Sequence, residues 1–216
     1  MSETKFACVT SLRKFGLVLF AVTALVCVLP TVTSATPVNV ALSKPVSLSG
    51  SFFNGGSGGT VVNAGTIVDG VFLFRGTEWN DGAVWWELTP GTPQYIVIDL
   101  LGTYEIDSFM VQADNNDEYT LFYWHENSEL TAWDVPEIVR AEGMQTRPNP
   151  ADNTQRWVLS SPITTNKLKI MGAVIGDSYY SVSEVQAFGS PVPEPTSLLL
   201  FGTGLVGLGA WRKRRA

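Results

Sequence analysis

An all-β sandwich of the jelly-roll type is the fold this sequence predicts, and three observations predict it. Short segments alternate apolar and polar residues with the period of a strand, turn-forming residues separate them, and no long stretch repeats at helical spacing. The one helix the pattern suggests is short, near Asp134 to Met144, with Asp134 as N-cap and Pro136 in its first turn.

In chain order, Lys5, Arg13 and Lys14 precede an apolar segment from Phe15 to Leu29, and Thr33-Ser34-Ala35 supplies the small residues a signal peptidase accepts. Residues 1–35 read as a secretory signal peptide, a retained anchor being the alternative. Residues 36–190 then form one domain with a single core, without repeat or composition break. Asn54-Gly55-Gly56-Ser57-Gly58-Gly59 is a loop within it, and lacks the Lys-Ser/Thr and following helix of a phosphate loop. In YIVIDL, Ile96, Ile98 and Leu100 share one face; in DSFMVQA, Phe109, Val111 and Ala113 do; YTLFYW, RWVL, KLKIM and YYSVSEVQAF continue the pattern. Asp114-Asn115-Asn116-Asp117 reads first as a hairpin turn, because Asn and Asp tolerate left-handed backbone, and second as a ligand contact. It lacks the spacing of a helical calcium loop.

The last segment is VPEPTSLLLFGTGLVGLGAWRKRRA. Its apolar run from Leu198 to Trp211 has 14 residues, fewer than the roughly 17 to 20 of a bilayer-spanning helix. Arg212, Lys213, Arg214 and Arg215 follow at once and favour the cytoplasmic side. Four glycines, 202, 204, 207 and 209, let another helix approach closely. Pro193, Glu194 and Pro195 hold an extended segment that cannot join the helix, as a protease requires. An ordinary tail anchor is the alternative. In its three parts, residues 191–216 resemble the PEP-CTERM sorting signal of Gram-negative bacteria. That resemblance implies export across the inner membrane, transient anchoring by the C-terminal helix, cleavage by an exosortase, and a final place on the cell surface or outside the cell.

Removing both ends changes the charge. Over residues 36–192, Lys+Arg falls from 14 to 7 and Asp+Glu from 20 to 18, a net of −11. Such a surface repels nucleic acid and anionic lipid, leaving cations as natural partners. Both cysteines, Cys8 and Cys27, lie in the signal peptide, so the mature chain has no disulfide despite an oxidising destination.

The order of motifs in the body resembles the discoidin-like, galactose-binding-like domains, also called coagulation-factor C-type domains. NVALSKPVSLSGS is similar to their opening strand, and Val68-Asp69-Gly70 with Thr77-Glu78-Trp79 to their Asp-Gly turn and Thr-x-Trp, here spaced further apart. YIVIDLLGTYEIDSFMVQ, YTLFYWHENSELTAW, SPITTNKLKI and SVSEVQAFG follow in the family's order. The resemblance implies a structural Ca²⁺ held by Asp69, Thr77, Glu184 and backbone carbonyls, a donor set suited to a hard cation. From alternation alone, Glu184 lies with Val182 and Gln186 opposite Ser183 and Val185, and an inward carboxylate would need a cation or other partner. An exposed Asp, a capping Thr and an ion-paired Glu are the alternative.

Catalysis finds little support. His125 is the single histidine, so triads and multi-histidine zinc sites are ruled out or rest on one residue in a polar turn, and acid pairs arise by chance among 18 carboxylates. Aromatics are the better clue, since flat rings beside amide and imidazole groups stack on sugars. Trp124, His125, Trp133, Trp85, Trp86, Asn115 and Asn116 are the candidate ligand residues, with one of Trp85 and Trp86 expected to be exposed. Trp79 and Trp157 are expected in the core. The sequence thus predicts a non-enzymatic exported domain that binds extracellular polysaccharide, with signal peptidase and exosortase as processing partners; a structural matrix or adhesion protein contacting other proteins is the alternative.

Overall fold

The computed structural model describes residues 36–54, 63–88, 91–173 and 177–192. The signal peptide, most of the glycine-rich segment, and the sorting residues Pro193, Glu194, Pro195, Arg212, Lys213, Arg214 and Arg215 lie outside them. Among the described residues no helix is long and apolar enough to cross a membrane.

Ten strands appear among those residues: β1 (Val38–Asn39), β2 (Val46–Ser49), β3 (Phe53–Asn54), β4 (Val84–Glu87), β5 (Tyr95–Ala113), β6 (Tyr119–His125), β7 (Ser128–Val135), β8 (Gln145–Arg147), β9 (Trp157–Gly172) and β10 (Tyr179–Pro191). A 3₁₀ turn spans Ala64–Val68. Hydrogen bonding follows the order β3-β4-β10-β5-β9-β6-β7, with β1 on β10 and β2 and β8 on β5. All pairings are antiparallel.

The long strand β5 serves both layers of the sandwich. Its first half pairs with β2 and the end of β9 (Ile98 opposite Val46 and Leu168), and its second half with β10 and β8 (Val111 opposite Val185 and Arg147). Between them the register with β9 slips, at Leu101, whose φ is 57° and whose N–H donates to Asp99 Oδ1 at 3.0 Å. The side-chain bond makes the left-handed step tolerable for a non-glycine residue. Ile96, Ile98, Leu100, Phe109, Val111 and Ala113 are all fully buried, as their alternation predicts. Each large side chain so buried contributes about 1.5–3 kcal/mol.

Three expectations are corrected. No helix forms over residues 134–144: Asp134 lies in β7 opposite Thr120. Trp133 and Val135 on either side of Asp134 are buried by sheet pairing, and Pro136 ends the strand. Asp114 to Asp117 is no hairpin turn, because β9 lies between β5 and β6, so the segment carries the chain over that strand. Glu184 does not share a face with Val182, since a register shift between them puts Val182, Val185 and Ala187 in the core. A one-residue bulge reverses every later side chain, and Glu184 instead faces the loop that covers β10.

That covering loop explains why Tyr180–Phe188 and Phe109–Ala113 are buried on both faces. Gln112 fastens it: its Oε1 accepts from Leu73 N at 2.7 Å, and its Nε2 donates to Leu73 O at 3.0 Å.

Candidate functional site

The outer face of β2, β5, β9, β6 and β7 carries a groove of about 400 Å³. Strand alternation builds it: with Ile96, Ile98, Leu168, Ile170 and Leu121 turned inward, Tyr95, Lys167, Lys169 and Trp124 turn outward, joined by Glu129 and by Ser47 and Ser49. Trp124 is half-buried and forms part of the wall. The buried Thr165 hydroxyl accepts from Trp124 N and Lys167 N, both at 3.2 Å, and donates to Lys167 O at 2.9 Å. One hydroxyl thereby fixes the tryptophan relative to the lysine across two strands. The Lys167 ammonium stands 5.6 Å from the Trp124 ring centre, near the outer limit of a cation–π contact, which leaves ring surface open. Lys169 sits 4.4 Å from the Phe122 ring and 5.2 Å from the Tyr95 ring, and forms an ion pair with Glu129.

Of the sequence candidates Trp124 lines this groove, whereas His125, the next residue on β6, is exposed opposite Ser128 and is not among its lining residues. The other candidates are elsewhere. Both Trp85 (8% exposed) and Trp86 (1%) are buried, contrary to the expectation that one would face solvent. Trp86 meets Phe52, Tyr119 and Tyr180 in the core, whereas Trp85 stacks on Phe53 at 4.5 Å and meets Trp79 edge-on. The short strand β3 and the 79–83 turn cover what alternation alone would leave open. Trp133 is buried and stacked parallel on the half-buried Trp157 at 5.0 Å, beside a separate shallow cleft. Asn115 braces the 138–141 loop, donating to Ala141 O and accepting from Ile138 N. Asn116 is exposed and donates to Asp177.

Two acidic corners lie apart from the groove. In the first, Glu184 is fully buried, its oxygens accepting from Gly70 N at 3.1 and 3.3 Å and from Gln186 Nε2 at 3.1 Å. Burial first, with a smaller push from the Asp69 charge, raises its pKa to about 8 against those hydrogen bonds. The Thr77 hydroxyl donates instead to Phe74 O at 2.6 Å. Asp69 is exposed and its Oδ1 accepts from Val71 N at 2.8 Å, so both Asp69 and Thr77 are engaged by their own turns. No group of three or more His, Cys, Asp or Glu among the described residues forms a metal cage.

In the second corner, the fully buried Arg147 donates to the carbonyls of Pro136, Ala113, Gln145 and Asp114. The Tyr119 hydroxyl donates to Asp114 Oδ1 and accepts from Ser181 N at 3.0 Å. Asp117 is buried beside them with no hydrogen-bond donor to either oxygen. Burial first, and then the Asp114 charge, raise its pKa, so it holds a proton near neutrality. This corner ties β5, β6, β8 and β10 together.

A further cleft, of about 520 Å³, lies between Phe72–Arg75 and Pro150–Asn153 at one end of the sandwich. Phe74 is 87% exposed there. Sequence reasoning missed it, and also missed Tyr95, Glu129, Lys167 and Lys169. The last two were legible as the outward positions of the alternating KLKIM, whereas Tyr95 and Glu129 needed the cross-strand register.

Comparison with known proteins bears on both the tail and the sandwich. Residues 191–215 match the PEP-CTERM protein-sorting motif. The chain carries a PEP-CTERM signal. A PEP-CTERM motif implies an exported protein that an exosortase sorts to the cell surface. The sandwich itself is similar to a fucolectin from striped bass (Morone saxatilis) serum, at 14% identity and a TM-score of 0.50 over 74% of this chain and 51% of that one. It is also similar to the family 32 carbohydrate-binding module of C. perfringens NanJ, solved with galactose (14% identity, TM-score 0.44, 71% and 98% of the two chains). Chitosan-binding module 1 of a Paenibacillus sp. IK-5 chitosanase/glucanase stands at 18% identity and TM-score 0.47, over 70% and 99%. Likeness at these identities is one of fold, and the PEP-CTERM chain shares the antiparallel β-sandwich architecture. Comparison with curated proteins gives no match.

Proposed function

We propose that this exosortase-sorted domain is a non-enzymatic module that binds extracellular polysaccharide through the groove of Trp124. The observation that carries this reading is the fixed placement of a half-buried indole among hydroxyl, carboxylate and ammonium groups on an open sheet face. A pyranose presents a C–H face to the ring and hydroxyls to Ser47, Ser49 and Glu129, the combination that sugar recognition needs. The fucolectin has the same kind of sandwich, which makes the fold compatible with the role, but a fold does not assign a ligand. Among the described residues, His125 stands exposed on its hairpin and the buried carboxylates of Asp114, Asp117 and Glu184 line neither the groove nor the end cleft.

Calcium enters the same proposal as a structural ion. Asp69 and Glu184 would hold it and it would neutralise a buried carboxylate; the residues do nothing else to it. The test of the main reading is affinity electrophoresis of the mature protein in gels containing the host's secreted polysaccharide. Retardation should weaken by about 1–3 kcal/mol in Trp124→Ala, by analogy with base stacking on aromatics. Phe74→Ala should migrate as the wild type does. If Phe74→Ala loses retardation and Trp124→Ala keeps it, the sugar site is the end cleft and the groove assignment is wrong.

A further inference from the structure

Seven cations remain in residues 36–192, and the structure accounts for most of them away from any ligand. Arg147 is caged by backbone carbonyls, Arg156 lies 3.5 Å from the centre of the Phe188 ring, Arg75 donates to Gln145, and Lys44 donates to Tyr104. Lys167 and Lys169 are different. They stand two residues apart on one strand, on the same face, and both line the Trp124 groove. In a body of net charge −11 this is a local concentration of positive charge in a concave site, where field lines focus.

The two lysines are also not equivalent. Lys169 is neutralised by Glu129. Lys167 forms no ion pair among the described residues: its cross-strand neighbour Asp99 turns its carboxylate to Leu101 N instead, at 3.0 Å. Thr165 holds the lysine's backbone against that of Trp124, and the Lys167 ammonium stands 5.6 Å from the centre of the indole ring.

Resting on the glycan-binding reading above, we propose that the groove selects acidic polysaccharide, with Lys167 receiving a sugar carboxylate. A uronic acid stacked on Trp124 carries its carboxylate on the carbon outside the ring. The ammonium 5.6 Å from the indole centre is within reach of that group. A charge-assisted hydrogen bond there adds to stacking and is lost when the carboxylate is esterified. Lys169, already paired, keeps Glu129 from opposing the incoming acid.

Three probes separate this inference from the reading beneath it: polygalacturonate, the same polymer fully methyl-esterified, and neutral galactan, each titrated against the mature protein at low and moderate salt. The wild type should bind polygalacturonate about tenfold more tightly than its ester, and the advantage should shrink with salt. Lys167→Gln should bind acid and ester with equal affinity, whereas Trp124→Ala should weaken all three. Equal binding of acid and ester by the wild type, with Trp124 still required, overturns the acidic preference and leaves the groove reading standing. Persistence of the preference in Lys167→Gln overturns the role of Lys167 and likewise spares the groove. Failure of the wild type to bind any of the three overturns both.

Discussion

Substituting Glu184→Gln removes a charge that the fold itself disfavours, and the consequence is a change in how stability depends on pH. The carboxylate is fully buried, with its pKa moved from 4.5 to about 8 chiefly by burial. The folded state therefore holds the proton more tightly than the unfolded chain. Stability from this group is complete below about pH 4.5 and is lost as pH rises through about 8. At about 1.4 kcal/mol for each tenfold change in proton affinity, the upper bound is roughly 5 kcal/mol. Relaxation of the covering loop reduces that, and about 2 kcal/mol corresponds to a melting shift of roughly 4–8 °C for a domain of this size. Melting should be followed by circular dichroism in chelator at pH 5, 7 and 9. The wild type should melt lower at each step, and Glu184→Gln should show a shallower fall. Some slope should remain in the variant, because burial raises Asp114 and Asp117 in the same direction. Added Ca²⁺ at pH 8 should restore the wild type and not the variant, since a ligand of the native state stabilises it by mass action. A wild-type melting temperature that is flat or rising from pH 5 to 9 in chelator would refute the reasoning about Glu184; indifference to Ca²⁺ would remove the ion alone.

The remaining predictions concern processing and the core. Mass spectrometry of the mature protein from its host should find a start near Thr36 and loss of the segment from about Leu198 onward; an intact end through Ala216 on the extracellular protein contradicts sorting by cleavage. Arg147→Lys should destabilise by about 3 kcal/mol or more in denaturant titration, because one ammonium cannot reproduce a planar fork spanning four carbonyls. Trp86→Ala should cost about 3–5 kcal/mol of stability, whereas Trp124→Ala should cost much less. Equal losses at both positions would mean that Trp124 is a core residue.

Much of this fold was legible because its signal is local. Two-residue alternation in YIVIDL, DSFMVQA and KLKIM places Ile96, Val111 and Leu168 inside whatever their partners are. What alternation cannot see is how strands are ordered or where they slip. Asp114 to Asp117 has turn chemistry, and yet the strands it joins are separated by β9. Glu184 has a simple phase by sequence, and a single bulge reverses it. Trp85 was expected to be one of an exposed and buried pair, but the two-residue strand β3 lays Phe53 upon it. The groove failed to emerge from the sequence for a related reason. Trp124 was visible as a candidate, while Tyr95, Glu129 and Lys167 come from three other strands and meet it only through register. Sorting signals are different again, since a short motif, an apolar run and a basic cluster are read in linear order and need no fold.

The most direct test of glycan binding at the Trp124 groove is where a sugar touches the domain. In an NMR titration of the mature protein with oligosaccharides cut from the host's polysaccharide, the indole N–H of Trp124 and the amides of Tyr95, Glu129 and Lys167 should shift together and saturate at one affinity, while the buried indoles of Trp85 and Trp86 stay still. Shifts confined to Phe74, Arg75 and Asn153 at the end cleft, with Trp124 unmoved, would contradict it.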